Sequence, residues 1–298
     1  MLSVKIKNHL HLHVLVFIAG FTAVLGELIS IDAIPLVWFR MVFATVLMFA
    51  YIKIMKVDLK IPLKAVLNLS LAGIIIALHW ITFFGAIKIS NISIALGMFS
   101  AGAFFASIIE PIVFKRPVIW YEMVLGLVVI LGVLIITHSE LQYLSGILLG
   151  LLSAFLSSLF AVLNGKFIQQ HSPTVISFYE FLSGVVFLSV FILFLEKPFS
   201  VEFFKLSHLD YAYLFILASI CTAYAFIAAV HVMKVISPYT VVLSYNLEPV
   251  YGILIAMLLF PEKENMSPSF YYGTFTILAM VLLNAILKNL RFLKRKHS

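Results

Sequence analysis

Apolar runs of membrane-spanning length constrain this chain more than any other feature. A helix needs roughly 20 apolar residues to cross the hydrocarbon core of a bilayer. Ten such segments can be marked along 298 residues. They are Leu12–Ile29, Pro35–Ile52, Ala65–Ile87, Ile92–Phe114, Trp120–Thr137, Gly146–Ile168, Pro173–Leu195, Tyr211–Met233, Pro238–Phe260 and Phe270–Leu287. Each satisfies its own backbone hydrogen bonds only as a helix, which lipid demands. The expected fold class is therefore all-α integral membrane, with ten transmembrane helices. A water-soluble fold is excluded by composition, since 63% of residues are hydrophobic and 11% charged, against about 45–50% and 25% in soluble domains.

The formal net charge of +7 reads as topology rather than nucleic-acid binding. Cytoplasmic loops carry an excess of Lys and Arg. With the N-terminus inside, the inner segments hold Lys5, Lys7, Lys53, Lys56, Lys60, Lys64, Lys115, Arg116, Lys234 and the basic tail from Lys288. The outer loops hold only Lys88, Lys197, Lys205 and Lys263, together with acids such as Asp32, Glu140, Asp210 and Glu264. Both termini are expected to be cytoplasmic. Val14 to Leu28 lacks a following small-residue cleavage site and reads as an uncleaved first span. The single cysteine, Cys221, has no disulfide partner in the chain.

Five spans precede Glu140 and five follow it, so the halves enter the membrane in opposite directions. Inverted repeats of this kind are typical of secondary transporters. Residues 1–139 and 140–298 are expected to be the two five-helix units. Ala23-Val24-Leu25 resembles Ala161-Val162-Leu163, Trp38-Phe39-Arg40 falls where Phe178-Tyr179-Glu180 falls, and Lys88 falls where Lys234 falls. Acid and base exchange places between the halves: Glu27 then Arg40 in the first, Lys166 then Glu180 in the second. Because an unpaired charge in hydrocarbon costs at least ~2.5–3.5 kcal/mol, Glu27 is expected to pair with Arg40, and Lys166 with Glu180, as gates or staples. The alternative is that each side chain snorkels to its nearby interface.

The stretch Ser237 to Glu262, with Asn246-Leu247-Glu248-Pro249 at its centre, is similar to the ninth span of EamA-type members of the drug/metabolite transporter superfamily. Arg40, early in the second span, resembles that family's Arg in the same place. The resemblance implies ten helices in two repeats, a plasma membrane, and a central cavity lined by spans one, three, four, six, eight and nine. It leaves the substrate open. The family's Gly-Glu pair at the ends of the fourth and ninth spans is not kept, since Phe260-Pro261-Glu262 retains only the Glu and Phe114-Lys115-Arg116 neither.

Candidate site residues follow from the helical positions of polar groups. Thr240, Ser244 and Glu248 recur at one face of span nine. Pro249 lacks an N–H, so the carbonyl of Tyr245 loses its helical partner. Glu248 is the foremost candidate, as a contact for a substrate amine or as a proton carrier, with a structural hydrogen bond as the alternative. Span four repeats the device at Glu110-Pro111, where a helix break is expected. His79 and Trp80 on span three, Tyr224 and His231 on span eight, and Tyr245 complete the candidate substrate-binding set; interhelical packing is the competing role for each. His9, His11 and His13 read as interfacial residues rather than as a metal site.

The expected function is a secondary transporter that moves a small organic molecule by alternating access, with protons as a candidate coupling ion. The chain shows no nucleotide-binding loop, and no cofactor, metal or catalytic residue is expected. An intramembrane lipid-modifying enzyme and a non-transporting scaffold are the alternatives. The enzyme reading lacks clustered Asp motifs, a His-Glu-x-x-His site, or a Ser nucleophile with a base. Oligomeric state is left open, because Gly146 and Gly150 serve packing within a chain as readily as between chains.

Overall fold

The computed structural model describes residues 4–115, 117, 119–194, 199–226, 228, 232, 244, 245 and 247–296. Among the described residues it is helical throughout. The helices are α1 (Val4–Leu28), α2 (Ala33–Met55), α3 (Leu63–Ile89), α4 (Ile92–Phe99), α5 (Gly102–Phe114), α6 (Trp120–Ser139), α7 (Leu144–Phe167), α8 (Pro173–Leu193), α9 (Val201–Phe204), α10 (His208–Ala218), α11 (Glu248–Leu259) and α12 (Pro268–Lys296). A 3₁₀ turn at Leu141–Tyr143 leads into α7, and a π-helical turn at Ser219–Tyr224 continues α10.

Among the described residues, seven stretches are long and apolar enough to cross a membrane: Ile6–Leu28, Ala33–Met55, Leu63–Ile89, Ile92–Phe114, Trp120–Ser139, Leu141–Phe167 and Pro173–Leu193. They coincide with the first seven expected segments. The expected spans Tyr211–Met233 and Pro238–Phe260 run partly through residues outside the described set, and Phe270–Leu287 lies within α12.

The packing is symmetric between the halves. Take α1 with α7, α2 with α8, α3 with α10, α4 with α11 and α6 with α12 as equivalents. Then α3 on α8 mirrors α10 on α2, α4 on α7 mirrors α11 on α1, and α3 on α7 mirrors α10 on α1. The pairs α2–α8, α4–α11 and α6–α12 map onto themselves. The main core lies where these pairs meet, around Leu25, Met41, Phe84, Leu96, Phe181 and Leu217.

Glycine sets the closest crossings. A Cβ on Gly73 of α3 would lie 2.3 Å from the Glu180 carbonyl oxygen on α8. One on Gly20 of α1 would lie 2.9 Å from the Gly252 nitrogen on α11. Small residues allow this approach, and close packing rather than the hydrophobic effect holds helices together in lipid.

Turns fall at equivalent places of the two halves. The fourth span stops at Phe99 and restarts at Gly102, with Ser100 and Ala101 forming a turn. In the second half, Leu247 is a turn residue and α11 starts at Glu248. Ala101 and Leu247 stand 146 residues apart, the offset that superposes Lys88 on Lys234. The break expected at Glu110-Pro111 is corrected here: α5 runs through Pro111 to Phe114. Pro111 lies in the last turn and a half of α5, where little helix remains to be disrupted. The break falls instead where the Ser100 hydroxyl donates back to the Leu96 carbonyl at 2.9 Å, a bond that competes with regular helix. Across the gap, Ser158 of α7 donates to the Gly102 carbonyl at 2.7 Å.

One end of the bundle is tied by buried carboxylates that accept backbone N–H groups. Glu264, 1% exposed, accepts from the nitrogens of Ile92 and Ser93 at 2.9 and 2.8 Å, the first turn of α4. Glu140 accepts from Ser267 N at 3.0 Å, just before α12. Asp210 accepts from Ser30 N at 2.6 Å, Ser30 Oγ at 2.8 Å and Ser207 Oγ at 2.6 Å. Burial alone would raise the Asp210 pKa, but the bonds from Ser207 and Ser30 outweigh it and hold the carboxyl below its ordinary range. A depressed pKa contributes stability that is present above the unfolded value and lost as pH falls through the folded one. Thermal unfolding of the purified protein should thus show an acid-side loss of Tm below about pH 4. In Asp210→Asn that loss should shrink while stability at pH 7 falls by about 1–3 kcal/mol.

Aromatic side chains gather at the start of α2. Trp38 contacts Phe39, Phe199, Phe203 and Phe204, with centroids 5.0–6.0 Å apart, and its indole N–H donates to Ser189 Oγ at 2.9 Å. Such clusters suit the membrane–water boundary, where an amphipathic ring sits with its polar edge satisfied.

Candidate functional site

The deepest polar cluster forms where α2 and α3 of the first half meet the π-helical turn of the second. Arg40, about two turns into α2, is 3% exposed. Its Nε donates to Thr222 Oγ1 at 2.9 Å. Its guanidinium carbon lies 3.8 Å from the centre of the Trp80 ring and 5.6 Å from that of Phe84. Thr222 can reach Arg40 because the chain there is wound wider than an α-helix. Its hydroxyl donates to the Leu217 carbonyl, five residues back, at 2.7 Å. π-turns of this kind occur mostly as single insertions and frequently at functional sites.

Glu248, the foremost acidic candidate, lies in the second half. It is the first residue of α11, with Pro249 next to it. Proline is well suited to that position, because its missing N–H would have no helical partner. The Glu248 carbonyl is pressed against Gly20, whose Cβ would lie 3.0 Å away. Glu248 is thus held between α1 and the start of α11, where the helix dipole favours negative charge.

The expected charge pairs are corrected by this geometry. Glu27 pairs with Lys263 Nζ at 2.6 Å, and its carboxylate holds the Lys263 pKa above the ordinary value. Arg40 is engaged by Thr222 and Trp80 instead. Glu180, 1% exposed, accepts from Asn164 Nδ2 at 2.9 Å. Lys166 is exposed in the last turn of α7, where a cation complements the helix C-terminus. Glu27 and Arg40 thus find partners in the opposite half, whereas Glu180 finds Asn164 on α7 of its own hairpin.

The remaining candidates separate. Trp80 joins Arg40. His79 is turned the other way: its Nδ1 lies 3.0 Å from the Ser153 carbonyl and 2.9 Å from Ser153 Oγ, and its ring stacks on Phe99. That serves the α3–α7 contact. Tyr224 is exposed and its hydroxyl meets His11 Nε2 at 2.7 Å, away from Arg40 and Trp80. Ser244 and Glu248 do not lie on one continuous helix, because Leu247 N turns back to the Ser244 carbonyl at 3.0 Å. Tyr245 is half-buried and packs on the cluster of Leu12, Leu15 and Val16. His231 and Thr240 lie outside the described residues. Among the described residues no group of His, Cys, Asp and Glu is placed to hold a metal ion.

The sequence reading missed Thr222 and the capping acids. Nothing in a Thr inside an apolar run marks a π-turn, and Glu140, Asp210 and Glu264 resemble ordinary loop acids until tertiary contacts are known.

Comparison with known proteins agrees with the fold. A crystal structure described simply as that of a protein superposes with a TM-score of 0.64 at 13% identity, covering 95% of this chain and 98% of its own. It is similar in fold alone. No curated protein matches the chain. The model of the EamA-like transporter family matches residues 9–138 and again residues 144–286, one match per half. With both halves matched over nearly the whole length, the chain belongs to the EamA-like transporter family.

Proposed function

We propose that the chain is a secondary transporter that moves a small organic molecule by alternating access between two inverted five-helix repeats, residues 1–139 and 140–298. The observation that carries this reading is the placement of Arg40, Trp80, Thr222 and Glu248. The buried guanidinium of one repeat is held by the π-turn of the other, the repeat that also carries the half-buried carboxylate of Glu248. Intramembrane charges are expensive and mark substrate or ion pathways. The turns at equivalent places of the two halves add support, because transporters of this kind build midplane sites from discontinuous helices. Ten spans, cytoplasmic termini and a plasma-membrane location accompany the reading, supported by the Lys and Arg bias between loops. Glu248 serves as the proton-carrying group, with protons the coupling ion.

The Glu27–Lys263 pair joins the loop after α11 to the end of α1, which makes it a latch on the outer face. Lys263 is 66% exposed, so the pair itself adds little stability. Its proposed role is to part and reform during the cycle. Cysteines at positions 27 and 263, in a Cys221→Ser background and joined by a bis-methanethiosulfonate cross-linker, should stop uptake of substrate into proteoliposomes. Reductant should restore it. Undiminished flux through the cross-linked protein would rule out movement at this face.

A further inference from the structure

Arg40 presents an open donor at the interface of the two repeats. Its Nη1 is buried and has no hydrogen-bond partner. Buried polar groups are almost always satisfied, and an unsatisfied one in a native structure calls for an explanation. The cost is greatest for a charged donor in a low-dielectric interior.

The surroundings fix the guanidinium without filling it. Trp80 covers one face of the plane at 3.8 Å. Thr222 Oγ1 holds Nε at 2.9 Å, and its own proton is committed to the Leu217 carbonyl. The guanidinium is therefore oriented from α3 in the first repeat and from the π-turn in the second. Among the described residues no salt bridge joins the guanidinium to an acid. Arginine has five N–H donors and no acceptor, so only an acceptor can complete Nη1. The planar fork matches the paired oxygens of a carboxylate or a phosphate, and of the two the singly charged carboxylate costs less to take out of water in so buried a place.

We infer that Arg40 anchors a carboxylate of the transported molecule through the Nη1 side of its guanidinium. The inference rests on the transport reading above and narrows the substrate to organic acids, zwitterions included. Trp80 and Thr222 are positioning residues, since they act through Arg40.

The test uses full-length protein in detergent and matched probes: L-leucine against L-leucinamide, benzoate against benzamide, and inorganic phosphate. The readout is the concentration that gives a half-maximal rise in Tm. The inference expects at least one acid to stabilise the wild type at least tenfold more tightly than its amide. Arg40→Lys keeps the charge but loses the fork, and should weaken that acid by tenfold or more while leaving the amide unchanged. Thr222→Val leaves every charge in place and should weaken the acid by a smaller factor. It also serves if the Arg40 variants fail to fold.

Equal affinity for acid and amide in the wild type would overturn the inference. So would a response to phosphate alone, no response to any acid, or an acid preference that survives in Arg40→Lys. Proteoliposome uptake separates this from the transport reading. Uptake of an amide without preference for the acid keeps the transporter and removes the anchor. Acid-selective stabilisation without uptake of any probe keeps the anchor and removes transport.

Discussion

Gly73→Ala should lower the thermal stability of the purified protein sharply, and Gly73→Leu should yield no folded protein. The added Cβ would sit 2.3 Å from the Glu180 carbonyl oxygen and 2.3 Å from Ser183 Oγ. Ser183 can rotate only by giving up its bonds to the carbonyls of Tyr179 and Glu180 at 2.6 and 3.1 Å. The Glu180 carbonyl is helix backbone and cannot yield locally, so α3 and α8 must separate. Opposite Gly73, a Cβ on Gly184 would lie 2.1 Å from Met41 Cε and 3.1 Å from the Gly73 carbonyl, so the crossing is tight from both sides. Overpacking of this kind costs typically 1–3 kcal/mol and sometimes more. With backbone as the obstacle, Gly73→Ala belongs at the upper end. Gly165→Ala is the control, because its nearest heavy atom would be Phe114 Cζ at 3.8 Å. It should be neutral or stabilising by up to about 1 kcal/mol, the helix-propensity difference between the two residues. Thermal unfolding monitored by size-exclusion chromatography distinguishes the three variants. A Tm for Gly73→Ala within a degree of wild type would mean that α3 and α8 do not cross as described.

Helix length and apolar character were legible in the sequence because they are local properties. The first seven expected segments match membrane-capable helices to within a few residues. Pro249 sits one residue into α11, where a proline is a local signal of a helix start. Pro111 carries the same signal and misled, because α5 is near its end there and tolerates the missing bond. The real break at Ser100-Ala101 has no proline. Charge pairing was the least legible feature. Glu27, Arg40, Lys166 and Glu180 were matched by proximity along a hairpin, whereas the folded chain draws Glu27 to Lys263, 236 residues away. It draws Arg40 to Thr222, 182 residues away. Such partners depend on how the halves interlock, which no spacing within one half contains. Trp80 and Glu248 stand out in the sequence as a large aromatic and an acid inside apolar runs. Arg40 stands out as well, but was assigned to a different partner.

Glu248→Gln carries the second large expected effect, and it bears on the central claim. Glu248 is fixed at the start of α11, its backbone carbonyl against Gly20 of α1. Glutamine keeps the size and the hydrogen-bonding oxygen but neither holds a negative charge nor releases a proton. The fold should therefore survive, with Tm close to wild type, while the ability to exchange protons is removed.

The most direct measurement is uptake of radiolabelled organic acids and amino acids into proteoliposomes, with and without an imposed pH gradient, for wild type and Glu248→Gln. The account predicts gradient-dependent uptake by the wild type and a loss of at least about tenfold in Glu248→Gln, a change of 1.4 kcal/mol or more. Uptake that is indifferent both to the gradient and to Glu248→Gln would contradict it, leaving Glu248 a structural residue at a helix start and removing the proton from the mechanism.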